Sequence, residues 1–244
     1  MLQTLHVIMN HQYLDPCRLP GKVAVVFDVL LATTTIAMAL HSGAREVFTV
    51  PEVDDATRLA NEFSDNKTIL AGEKDAQIPP GFKTFQPSIL ANHSWSGQRL
   101  VLVSTNGTVA LHSSRKALDI FTCALVNISA VCEQILSHHP DQTILLVCSA
   151  SRTRFNVEDF LGTGMLVEQL CRQAPDRFHL TDTALAAKHL AETANPGKLM
   201  QQSRVGKLLE SLNMTDDLHL AGRIDHFNVA PKMVAGRLVD AARI

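Results

Sequence analysis

The chain places acidic, hydroxyl and basic side chains where apolar runs end. VAVVF (23–27) leads into Asp28. Past Leu30 and Leu31 come Ala32 and the triplet Thr33, Thr34 and Thr35. TILAG leads to Glu73 and Lys74, and RLVLVS leads to Thr105, Asn106, Gly107 and Thr108. ILLVCSA opens a loop carrying Arg152 and Arg154, with Glu158 and Asp159 just beyond it. In open α/β sheets, ligands collect in the crevice outside the carboxyl ends of the strands. If these ends meet on one rim, Asp28 and Glu73 offer hard oxygen ligands of the kind Mg²⁺ takes, with substrate phosphate and water filling its other positions. The helix start and hydroxyls at Thr33–Thr35, and the Thr105–Thr108 turn, offer phosphate donors. Lys74, Arg152 and Arg154 offer positive charge. Such a set suits phosphoryl chemistry, with the ion polarising the phosphoryl oxygens and orienting a water for in-line attack.

Each piece also has a plainer reading. Thr33 or Thr34 can serve as a helix N-cap and Asp28 as the cap of a neighbouring turn. Asn106-Gly107 is a common turn dipeptide. Glu158 and Asp159 suit the first turn of a helix through its dipole, and Glu73-Lys74 suits a solvated surface. The functional reading gains from repetition: strand, polar turn and helix recur in the same order three times, with Glu73 at a fourth strand end.

Other chemistries lack their signatures. No second Asp stands two residues after Asp28, which argues against aspartyl-phosphate phosphatases. G-x-S-x-G, G-x-x-x-x-G-K-[ST] and HExxH are absent, and the histidines are scattered. Cys148 ends an apolar run and is a second candidate nucleophile, as in isochorismatase-type hydrolases, although no activating His or Lys adjoins it. The net charge of −2 supplies no field for nucleic acid or anionic membrane. No signal peptide or membrane-length apolar run is read. Five cysteines without a CxxC pair fit reduced thiols in the cytoplasm. A small anionic substrate would have to be held by local groups, and the apolar helix surface allows a homodimer.

The elements that must position these groups alternate. Strands are expected over 5–9, 22–28, 46–50, 68–73, 99–105, LDIFTCAL (118–125) and 143–150. Helices are expected from TTTIAMALHSG, PEVDDATRLANEF, NGTVALHSSR and NISAVCEQILSHH, and from NVEDFLGTGMLVEQLCRQA with a loosening at Gly162 and Gly164. Near-continuous apolar strands separated by helices predict a three-layer α/β/α fold around a largely parallel or mixed central sheet. One α/β domain over 1–244 accounts for the chain, with a smaller C-terminal subregion from about 176. That subregion holds helices at DTALAAKHLAE and SRVGKLLESLN and a late strand within APKMVAGRLVDA. The weakly patterned stretch 74–97 has the length of a functional loop.

Taken in order, FDVLLATTT, AGEK followed by GF, STNGT and NVEDFLGTG resemble the motifs of the 2-phosphosulfolactate phosphatase family: DVLRATTT, GER, TTNGT and F-x-x-E-D-x-x-x-x-G. The likeness runs from about Lys22 to about Asp225, and SRVGKLLESLNMTDDLHLAGRIDHFNVAP is similar to the family's ending. The resemblance implies an α/β/α fold and Mg²⁺-dependent release of phosphate from a small phosphorylated acid, 2-phosphosulfolactate, a step towards coenzyme M. Matching positions are Asp28, Ala32, Thr33, Thr34, Thr35, Gly72, Glu73, Thr105, Asn106, Gly107, Thr108, Glu158 and Asp159. Asp28 and Glu73 are assigned to metal or water, the threonines and the 105–108 turn to phosphate, and Glu158 or Asp159 to a second metal contact or general acid/base role. The chain departs from the pattern at Leu31, where the family has Arg, at Asp75 and Ala76, where it has two glycines, and at Gln86-Pro87-Ser88. A leucine cannot pair with a carboxylate or sulfonate. These departures leave a shifted substrate, or a phosphate-binding module with weak or no catalysis, as alternatives.

Overall fold

The computed structural model describes residues 2–244. In chain order the elements are β1 (Gln3–Ile8), β2 (Val23–Phe27), α1 (Ala32–His41), β3 (Glu46–Val50), α2 (Val53–Glu62), β4 (Thr68–Gly72), α3 (Pro87–Leu90), β5 (Arg99–Val103), α4 (Gly107–Ser113), β6 (Asp119–Cys123), α5 (Ile128–His138) and β7 (Ile144–Cys148). There follow α6 (Val157–Gln173), β8 (Phe178–Leu180), α7 (Asp182–Thr193), α8 (Pro196–Gln202), α9 (Arg204–Ser211), α10 (Thr215–Ala221), β9 (Pro231–Val234) and β10 (Arg237–Asp240). Every residue of β2, β5 and β7 is buried, as expected of strands covered on both faces by helices.

The ten strands form one mixed sheet in the order β4-β5-β3-β10-β9-β6-β2-β7-β1-β8, in a three-layer α/β fold. Pairing is parallel throughout except where β10 meets β3, β10 meets β9, and β9 meets β6. Those exceptions come from the C-terminus. The single late strand expected there is a hairpin, β9 and β10, turning through Ala235 (φ 47°) and Gly236 (φ 81°). Two consecutive positive φ angles match the twist of a two-residue hairpin turn. The hairpin sits in the middle of the sheet between β3 and β6, so residues beyond 176 supply three of its strands.

Helix α6 is continuous and is not loosened by its glycines. A Cβ on Gly162 would lie 2.9 Å from the Phe27 ring, and one on Gly164 would overlap the Ala187 carbonyl of α7. Both positions are small so that α6 can lie close to β2 and α7. The 74–97 stretch contains only the short α3. It is tied down by buried Asp217 of α10, whose carboxylate accepts from Ser88 N (2.9 Å) and Gln86 Nε2 (3.2 Å).

Candidate active site

Asp28 leaves the end of β2 into a tight turn before α1. The three threonines brace that turn. Thr33 N donates to the Asp28 carbonyl (3.0 Å), and Thr33 Oγ1 accepts from Asp28 N (3.1 Å). Thr34 Oγ1 donates to the Val29 carbonyl (2.8 Å) and Thr35 Oγ1 to the Leu31 carbonyl (3.0 Å). Thr33 and Thr34 are buried and do not line the cleft, so the expected phosphate contact from their hydroxyls is corrected: they shape the loop that carries Asp28. Thr35 reaches the cleft wall.

Asp159, in the first turn of α6, completes the brace. Its carboxylate accepts from Val29 N (2.9 Å), Ala150 N (3.1 Å) and Ser149 Oγ (3.1 Å), joining the loops after β2 and β7. Burial, then Asp28, then Glu158 push its pKa well up, against the pull of the two backbone amides. A side chain enclosed and held by these donors does not reach a substrate. The expected acid/base or metal role for Asp159 is therefore replaced by a positioning one. Glu158 is also buried and off the cleft. Its Oε1 has no hydrogen-bond partner, and burial raises its pKa against Ser203 and Arg204.

Glu73 follows Gly72, whose φ of 136° and approach to the Val103 carbonyl leave no room for a Cβ. Glu73 Oε1 accepts from Thr105 N (2.7 Å), while Oε2 accepts from Thr105 Oγ1 (2.7 Å) and Ala76 N (2.8 Å). Thr105 Oγ1 also accepts from Asp75 N (2.9 Å). Thr105 thus orients Glu73. Thr108 is buried and bonded to Ser104 through both its amide and hydroxyl (3.0 and 2.8 Å). Neither offers a free hydroxyl proton to a phosphate. Lys74 turns outwards to the Pro51 carbonyl (3.1 Å) and Glu52 (3.0 Å), away from the cleft, which corrects its expected place beside an anion.

The loops nevertheless meet. Asn106 Oδ1 accepts from Arg152 N (2.9 Å), and Arg152 Nη2 bonds Asp75 Oδ1 (2.6 Å). A Cβ on Gly107 would overlap Asp28 Oδ2 and lie 2.6 Å from Ala32 Cβ, so Asp28 leans on the start of α4 in the space that glycine leaves. Four strands separate β5 from β2. At about 4.8 Å per strand a flat sheet would hold these ends about 24 Å apart. Sheet twist and the loop residues after β5 together close this gap.

The result is a cleft of about 550 Å³. Asp28, Glu73 and Asp75 face it together with Asn106, Arg152, Arg154 and Arg204. Sequence reading missed Arg204, which lies at the start of α9 within an unremarkable polar turn. It donates to Asn156 Oδ1 (2.9 Å), another cleft residue. Arg154 makes no ion pair among the described residues. Among the described residues, four of the eight non-glycine residues at positive φ, namely Asp75, Ala76, Ala150 and Arg152, line this cleft. Strained backbone of this kind concentrates at functional sites.

Asp28 is buried but reaches the cleft wall. Burial first, then Glu73, push its pKa up to about 7, against Ser149 and the Ala32 amide. No group of three His, Cys, Asp or Glu side chains capable of holding a metal is found among the described residues. The Asp28–Glu73 pair still suits Mg²⁺, which takes one or two carboxylates and completes its shell with water and phosphate oxygens. A desolvated carboxylate raised by a like-charged neighbour is the electrostatic situation a divalent cation relieves. Cys148 is buried and outside the cleft, with its thiol pushed well up by burial and Asp159, so it presents no thiolate there.

A cleft at the carboxyl edge of an α/β sheet, with paired carboxylates facing three arginines, is the layout of an enzyme that works on a small anion. A family model described as 2-phosphosulpholactate phosphatase matches residues 9–236. Three relatives are named "Probable 2-phosphosulfolactate phosphatase". The one from Thermotoga maritima is 34% identical over 88% of this chain and 90% of its own. That from Carboxydothermus hydrogenoformans is 32% identical over 89% and 90%, and that from Clostridium perfringens 29% over 88% and 87%. The chain belongs to the 2-phosphosulfolactate phosphatase family, whose name makes it a phosphoric monoester hydrolase.

Proposed function

We propose that this protein hydrolyses the phosphate monoester of a small hydroxy acid with the help of Mg²⁺, and that 2-phosphosulfolactate, named for its relatives, is among its substrates. The observation carrying this reading is the desolvated Asp28 beside Glu73, facing Arg152, Arg154 and Arg204 across one cleft. Asp28 and Glu73 would hold the ion. An ion held by these two carboxylates would supply charge neutralisation at the phosphoryl oxygens and would favour attack by water. The protein's own part is orientation. Thr105 and the Ala76 amide fix Glu73, Gly107 leaves the space for Asp28, and Asn106 ties the β5 and β7 loops into one rim. Arg154 and Arg204 are placed to take the substrate's anionic groups, with guanidinium geometry that matches carboxylate and phosphate oxygens.

Among the described residues, no helix is long and apolar enough to cross a membrane. The five cysteines carry free thiols, which suits action in a reducing compartment such as the cytoplasm. The test is inorganic phosphate released from 2-phosphosulfolactate with Mg²⁺ and with EDTA. Release that EDTA abolishes, and that Asp28→Asn lowers at least about a hundredfold, is expected. Robust turnover in EDTA removes the metal from the proposal. Thermal stabilisation by the substrate without any phosphate release would identify a binding protein.

A further inference from the structure

The cleft also has an apolar wall that phosphate chemistry does not use. Helix α9 carries Val205, Leu208, Leu209 and Leu212 at helical spacing through its C-terminal boundary, and all four line the cavity. Leu209 is packed into the core, but Leu208 and Leu212 remain 43% and 44% exposed. Leu31 and Phe85 face the same cavity. The Phe85 segment is held in place by the buried Asp217 carboxylate, so this wall is built and not a fraying loop. About 550 Å³ lies within the range of pockets for drug-sized ligands, roughly 300–1,000 Å³. A phosphorylated three-carbon acid held by the arginines and carboxylates would leave the leucine end filled with water against apolar side chains.

We propose that the cleft prefers phosphate monoesters of 2-hydroxy acids bearing a branched or aromatic carbon side chain, seated on the leucine face of α9. This rests on the phosphatase reading above and names the substrate class for the same site. The argument is continuity: one cavity joins the charged groups at Asp28, Glu73 and Arg204 to the apolar wall that starts one residue after Arg204. A ligand whose acid and phosphate groups engage the first has the second as the apolar surface of the same cavity, open to its remaining carbon substituent. A site of this make-up discriminates by burial of carbon, and an added methylene in an apolar pocket is typically worth roughly 10-fold or more in kcat/KM.

The test compares phosphate release from 2-(phosphonooxy)propanoate, 2-phosphosulfolactate and 2-(phosphonooxy)-4-methylpentanoate under identical Mg²⁺. The isobutyl compound is expected to exceed the methyl one at least tenfold in kcat/KM. That ratio should fall below threefold in the Leu208→Ser/Leu212→Ser variant, whose changes lie at solvent-reached positions. Hydrolysis of all three with no isobutyl preference overturns this inference and leaves the phosphatase reading standing. If none releases phosphate, that reading fails. The apolar preference is then decided by thermal shift with the matching phosphonates, where equal shifts for methyl and isobutyl compounds overturn it. A dimer that the serine pair dissociates, read by light scattering, also overturns it by assigning the leucine face to a second copy.

Discussion

Replacing Asp28 by Asn should stabilise the metal-free protein while removing its turnover. Burial and Glu73 raise the Asp28 pKa from 3.8 to about 7. A folded-state pKa above the unfolded value means that the native state holds the proton more tightly. Stability from this group is therefore present at low pH and is lost as pH rises from the unfolded pKa through the folded one. A shift of about three units corresponds to about 4 kcal/mol between fully protonated and fully ionised conditions. Most of that loss falls between pH 5 and pH 8, where linkage gives about 2.5 kcal/mol. Asn keeps the shape and carries no charge, so in EDTA it should exceed wild type by about 2–4 kcal/mol at pH 8 and by less at pH 5. For a chain of this length each kcal/mol moves the midpoint by about 2–4 °C. Urea or thermal unfolding at both pH values, in EDTA, measures the difference. Adding Mg²⁺ should then raise wild type but not the variant, because a cation held by the carboxylate stabilises the folded state by mass action. A variant less stable than wild type at pH 8, or a difference that does not change with pH, would refute the placement of a desolvated carboxylate at this site.

Gly107→Ala puts a methyl group where Asp28 Oδ2 and Ala32 Cβ now lie; loss of most phosphate release and a stability cost of about 1–3 kcal/mol are expected by activity assay and denaturation. Ala76 holds φ at 62°, a conformation glycine adopts without strain, so Ala76→Gly should raise stability by up to about 1 kcal/mol in urea unfolding after its own entropy cost is included. Cys148 is buried and off the cleft, so Cys148→Ala should cost about 1 kcal/mol in stability yet retain phosphate release. A dead but folded Cys148→Ala protein would restore the cysteine-hydrolase reading.

The strand ends were readable because burial on both faces leaves long apolar runs, and VAVVF, RLVLV and ILLVC mark β2, β5 and β7 closely. The central hairpin was not readable. KMVAGRLVD is short and only partly buried, and its place in the sheet depends on pairing Leu238 with Val47 of β3 and Lys232 with Phe121 of β6, both far earlier in the chain. The convergence of Asp28, Glu73 and Asn106 followed from the rule about carboxyl ends, even though their strands are far apart in the sheet order. That rule locates a rim; it does not say which polar atoms on the rim face outwards.

The hydroxyls show why. A threonine beside a helix start can donate to a ligand or to its own backbone, and the sequence pattern is identical in both cases. Here protein acceptors win: the Val29, Leu31 and Ser104 carbonyls take the Thr34, Thr35 and Thr108 protons, and the Glu73 carboxylate takes that of Thr105. The reason is geometric. A buried loop after a parallel strand exposes carbonyls that no sheet partner reaches, and each needs a donor or costs the fold free energy. The groups left to meet a ligand are long guanidinium side chains in the cleft lining: Arg154, and Arg204, whose Nη2 bonds Asn156 and whose other donors remain. Arg204 comes from a different part of the chain, about fifty residues after the β7 loop it faces. Its assignment to the cleft therefore had to wait for α9 to be docked, and the leucine wall arrives with it on the same helix.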